Sequence, residues 1–127
     1  MSLFDLFRKK QTAEHASEMP LKKRLASMRC KRVNYVACDF EELCSQMQQA
    51  ADNNGNADCL VKLTPVNYYA LKDEYIEAAF YSDEEHEENY VIFRLIKFDK
   101  PVRSSGIYPV SKDILRKAFE KLGAVSF

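Results

Sequence analysis

At 127 residues the chain fits one ordinary domain, long enough to bury a core and too short for two. Its 46% apolar and 30% charged residues exclude a disordered chain, its three glycines exclude a collagen-like or linker chain, and no apolar run approaches the roughly 20 residues of a membrane-spanning helix. The net charge is zero but partitioned, with +6 over residues 1–35, −11 over 36–90 and +5 over 91–127, a pattern that bears on partners and self-association rather than on fold.

In chain order, residues 1–10 read as a short amphipathic helix. Ser2 caps it, Asp5 stands three residues on, and Arg8, Lys9 and Lys10 complement the negative end of the helix dipole. Leu3, Leu6 and Phe7 form its apolar stripe, which would dock on a partner, on a membrane surface or on the domain's own core. Residues 11–19 have no apolar period and read as a linker, so the chain divides into this appendage (1–19) and a single domain (20–127). Pro20 suits the first turn of a second short helix carrying Leu21, Leu25 and Met28 at helical spacing.

Residues 32–38 are β-branched and aromatic enough for a strand. Asp39 and Glu42 then make a capping box for a helix with Phe40, Leu43, Cys44, Met47, Ala50 and Ala51 on one face, stopped by residues 52–55. A strand at 59–64 would complete a βαβ-like start, with an antiparallel return as the other possibility. Residues 65–82 have helical propensity, but Asp73 and Glu77 interrupt any helical stripe. Two strands, 66–71 and 74–82, are the preferred reading. A further strand at 90–98 makes a hairpin with 74–82, its tip the acidic run Asp83 to Asn89. A loop follows from residue 99, and a last helix starts at Ser111, carries Ile114, Leu115, Ala118, Phe119 and Leu122 on one face, and stops at Gly123, before a short terminal strand at 124–127. The expected fold class is therefore α+β, a single domain with a mainly antiparallel sheet, a βαβ-like start and a C-terminal helix packed on the sheet.

Chemistry-bearing motifs are sparse. The four cysteines (Cys30, Cys38, Cys44, Cys59) contain no C-x-x-C pair, and neither histidine stands near a cysteine pair, so no zinc site is assigned. Without a leader sequence, reduced thiols in the cytoplasm are expected. Cys38 stands before a helix start, where a thiolate is favoured, but Asp39, Glu41 and Glu42 beside it raise its pKa, so it is read as structural. His86 lies among Asp83, Glu84, Glu85, Glu87 and Glu88, a run that matches no EF-hand and no H-E-x-x-H helix. No phosphate-binding glycine motif or nucleophile elbow is present, and no catalytic residue, metal or cofactor is assigned.

What remains is charge and tyrosine. Five of seven tyrosines fall between Tyr68 and Tyr90, and Tyr75 and Tyr81 share a strand face with Glu77. The sequence reading is a non-enzymatic protein-interaction domain, adaptor- or inhibitor-like. It would use Glu77, Tyr81, Asp83, Glu84, Glu85, Glu87 and Glu88 to bind a protein partner with a basic surface, acids steering encounter and tyrosines anchoring it. The alternatives are a nucleic-acid-associated protein using the basic region 22–32, with Tyr35 as a stacking residue, or a small enzyme with an unrecognised site. Segments of opposite charge also allow a homodimer.

Overall fold

The computed structural model describes residues 21–123. After a helical turn over residues 21–25 come strand β1 (Arg29–Val36), helix α1 (Phe40–Ala51), the short helix α2 (Asp58–Lys62), a 3-10 turn (Tyr68–Ala70) and strand β2 (Glu74–Asp83). Strands β3 (Glu88–Lys97), β4 (Lys100–Ser104) and β5 (Tyr108–Pro109) follow, and helix α3 (Lys112–Leu122) closes the described chain. The strands form one antiparallel sheet in the order β1-β2-β3-β4, with β5 pairing the start of β3. The expected α+β class, with a mainly antiparallel sheet and a C-terminal helix on it, is what the structure shows.

Alternation along the strands creates the core. Val33 and Tyr35 of β1, Ile76, Ala78 and Phe80 of β2, and Val91, Phe93 and Leu95 of β3 all point to one face. Phe40, Leu43, Met47 and Ala50 of α1, Leu60 of α2, and Ile114, Leu115, Ala118 and Phe119 of α3 cover that face. Each large side chain so buried stabilises by about 1.5–3 kcal/mol. Phe80 and Phe119 meet edge to face, with centroids 5.2 Å apart.

The caps read from the sequence are in place. The Asp39 carboxylate accepts from Glu42 N (3.1 Å), the Ser111 hydroxyl accepts from Ile114 N (3.2 Å), and Gly123 ends α3 in the left-handed conformation. Gly55 ties the exit of α1 to the start of α3. Its φ is +74°, its carbonyl accepts from Ser111 N (2.9 Å), and a Cβ there would lie 2.8 Å from that nitrogen. Only glycine permits this approach.

Three expectations are corrected. Residues 59–64 are not a strand: α2 and its exit occupy them, because Leu60 and Leu63 both turn inward and Lys121 Nζ donates to the carbonyls of Val61 and Leu63 (2.9 Å each) at the helix end. Tertiary packing overrides β-propensity here. The chain therefore returns from β1 to β2 antiparallel, and no βαβ crossover forms. Residues 66–71 likewise make no strand. Pro65 bridges Tyr35 at the edge of β1, after which the chain turns through Tyr68–Ala70. The expected loop after residue 99 instead contains β4 and β5, reached through a two-residue turn at Phe98 and Asp99, both with positive φ.

The hairpin is as expected, β2 against β3, in a register running from Glu74↔Lys97 to Asp83↔Glu88. The readings of residues 1–19 and 124–127, including the N-terminal helix, its linker and the terminal strand, lie outside the described residues.

Candidate functional site

The hairpin distributes its acidic and tyrosine side chains over two faces. On the sheet face opposite the helices, Glu77 lies directly across from Arg94 and accepts from its Nε at 2.9 Å and Nη2 at 2.5 Å. Arg32 of β1 approaches the same carboxylate at 3.6 Å. Glu77 is only 16% exposed, so two cations neutralise a half-buried acid in the middle of this face. Tyr75 is the next residue on this face of β2 to one side of it, and Tyr81 lies to the other side beyond Ala79. Burial raises the Tyr81 hydroxyl above its ordinary pKa, and the cross-strand Cys30 thiol adds to the shift.

At the tip, the Asp83 carboxylate accepts from His86 N (3.1 Å) and pairs with His86 Nδ1 (2.9 Å), which shapes the turn. Its side chain is 10% exposed; desolvation works against ionisation, but the His86 bonds outweigh it and hold the pKa below the ordinary carboxylate value. Arg24 lies 3.8 Å from Asp83 and 3.9 Å from Glu88, and Arg29 pairs with Glu84. Glu88 also accepts from the Tyr90 hydroxyl, which burial first and this bond second push up to about 12. Glu85 and Glu87 are exposed, and Glu87 takes a positive φ of 54°. The tip is thus a turn fixed by its own hydrogen bonds, with two of its glutamates outermost.

A cleft of about 1190 Å³ separates the tip from α3. Asp83, Glu84 and Glu87 line one wall, and Lys112, Asp113, Arg116 and Glu120 line the other. Five acids against two bases leave this lining net acidic by three charges. Arg116 is held by Asp113 (2.5 Å) and Glu120 (2.9 Å) along the helix, which keeps its charge on the α3 wall.

The chain matches no family model, no curated protein and no solved structure.

Of the seven residues proposed from the sequence, the structure brings Asp83, Glu84 and Glu87 to the cleft, sets Glu85 and Glu88 at the same tip, and puts Glu77 and Tyr81 on the opposite face of the sheet. Asp113 and Glu120 are not legible as site residues in the sequence, because α3 reads as an ordinary solvated helix face until its neighbour is known. Arg24, Arg29 and Arg32, part of the basic region 22–32, each meet a hairpin acid. Tyr35 is not available for base stacking: it is 2% exposed, in the core, and burial raises its pKa well above the ordinary phenol value. Cys38 and Cys59 share a small cavity of about 190 Å³ beside Asp39 and Glu42. Burial, then Asp39, Cys44 and Glu42, raise the Cys38 thiol, so it is a poor nucleophile near neutral pH. Among the described residues no group of three or more His, Cys, Asp or Glu side chains is arranged to hold a metal ion, and no helix is long and apolar enough to cross a membrane.

Proposed function

We propose that this chain is a protein-interaction domain, adaptor- or inhibitor-like, whose acidic hairpin tip receives a basic segment of a protein partner. The observation that supports this reading most directly is the cleft between the tip and α3, whose walls carry five acids and two bases. A Lys/Arg-bearing segment entering it meets a net negative lining, and the tip that receives it is already ordered by Asp83 and His86, so little conformational freedom is lost on binding. Glu85 and Glu87, outermost on the tip, would act earlier, on encounter. The setting that goes with this reading is cytoplasmic, where the four cysteines, all free among the described residues, stay reduced.

The test is affinity capture from the native host with the wild-type chain and with a Glu84→Lys, Glu85→Lys, Glu87→Lys, Glu88→Lys variant whose fold is checked by circular dichroism. Wild type is expected to retain a protein of basic isoelectric point at low salt, and the variant to lose it. Retention of the same partner by both forms would remove the acidic tip from the interaction.

A further inference from the structure

Every large apolar side chain that the described residues leave exposed lies toward the end of the sheet opposite the acidic tip. They are Val36 (49% exposed), Tyr68 (73%), Tyr69 (93%), Phe98 (73%) and Val102 (51%). Tyr75 sits among them: it pairs across the strands with Val36 and Ile96, and it senses both Tyr68 and Asp99 electrostatically. Tyr68 and Tyr69 meet edge to face at 5.8 Å, and Phe98 N donates to the Asp73 carbonyl (2.7 Å), tying the β3–β4 turn to the segment that carries the tyrosines.

Two features set this patch apart from scattered surface apolar residues. The three exposed aromatics alone present roughly 500 Å², near the top of what a monomer leaves exposed and more than half of what each partner contributes to a standard interface. Phe98 also occupies a turn position with φ 49°, where Asn or Gly is the unstrained choice. A bulky aromatic held there in solvent gains nothing from its own domain.

The rim selects the occupant. The exposed Lys72, Lys97 and Lys100 stand beside the exposed Asp73, Glu74 and Asp99, three charges of each sign, and Arg103 next to Val102 is paired with Glu41. An anionic membrane or a polyanion requires an excess of cations, and a basic partner requires an excess of acids. A two-fold axis instead sets a patch against itself, so a balanced rim is the arrangement that avoids self-repulsion. We infer that a second copy of this chain covers the patch, joining two molecules through Tyr68, Tyr69, Tyr75 and Phe98. β2 spans ten residues between this end and the tip, about 30 Å, so both acidic tips stay open in the dimer. This inference is independent of what the tips bind.

The experiment is analytical ultracentrifugation of the full chain from about 1 μM to about 1 mM, with Phe98→Asn and Tyr69→Ser compared. The wild type is expected to pass from monomer to dimer within that range, and each substitution to weaken association at least about tenfold. Asn accepts the left-handed conformation, so Phe98→Asn should leave the monomer's thermal midpoint unchanged or higher. Tyr69, 93% exposed, can be truncated without disturbing the core. Three results would overturn the inference. One is a wild type that stays monomeric throughout, whether it sediments with phosphatidylcholine–phosphatidylglycerol vesicles or not. Another is a dimer indifferent to both substitutions. The third is hydrogen-exchange protection of residues 68–71 and 98 that is independent of concentration, which would identify a segment of the same chain as the cover.

Discussion

Tyr35 shows how one buried atom can oppose the fold that contains it. Its ring is buried in the core, while its hydroxyl oxygen is buried and has no hydrogen-bond partner. Leaving such a group unpaired costs about 1–3 kcal/mol, whereas a phenyl ring of the same shape carries no such penalty. Tyr35→Phe is therefore expected to be neutral or to stabilise the domain by about 1 kcal/mol, read from urea unfolding; a loss of stability would mean that the hydroxyl has a partner. Tyr90 and Tyr108 behave differently, since both hydroxyls are engaged. Burial, then the bond to Glu88, pushes Tyr90 up to about 12, and burial, then Cys44, does the same for Tyr108. Unfolded, both ionise near pH 10. Their contribution to stability is thus fully present below pH 10 and is lost as pH rises toward 12. Ultraviolet tyrosinate absorbance and circular dichroism should show these two, and the more deeply buried Tyr35, ionising only together with alkaline unfolding. A chain that kept its fold while all its tyrosines titrated near pH 10 would contradict the assignment.

Among the elements, those whose local signals agree with their packing were legible from sequence. Helix α1 has a capping box and one clean apolar face, α3 has Ser111, its stripe and Gly123, and β2 and β3 alternate around an acidic turn, so propensity, pattern and turn chemistry point the same way. The misread elements are those in which a distant partner decides. Residues 59–64 are apolar and β-branched, yet Lys121 closes the end of a helix there, and nothing in the local pattern announces a residue almost sixty positions away. β4 was hidden because the turn before it uses Phe98-Asp99 rather than Asn-Gly, and because Pro101 argues against a strand. Pro101 is tolerated since β4 is an edge strand, all of it exposed, with a register shift where it pairs with Leu95 and Ile96. The acidic tip of the candidate site was legible as a run of like charge. Its second wall on α3 was not, because the cleft exists only once α3 lies beside the hairpin.

At the scale of the molecule, the charge partition is resolved largely within the chain. Arg24 faces Asp83 and Glu88, Arg29 faces Glu84, and Arg32 with Arg94 faces Glu77, so the basic stretch 22–32 and the acidic stretch 77–88 form one surface of mixed sign. Individually these pairs are weak where exposed, roughly 0–1 kcal/mol, and their larger effect is on what else can bind. A polyanion approaching Arg24 or Arg32 has to displace a carboxylate already there. Wild type is therefore expected to bind duplex DNA weakly at about 0.15 M salt. Glu77→Gln together with Glu88→Gln should strengthen binding and steepen the dependence of log affinity on log salt by about 2, one unit for each of Arg32 and Arg94, since Asp83 still holds Arg24. Fluorescence anisotropy across a salt series measures both. If wild type bound tightly with a steep slope that the two substitutions left unchanged, region 22–32 would act independently of the hairpin, and the nucleic-acid reading would displace the protein-partner one. If only the substituted chain bound, the acidic hairpin would itself be what keeps the basic stretch from nucleic acid, leaving Glu85, Glu87 and the cleft as the surface open to a basic protein.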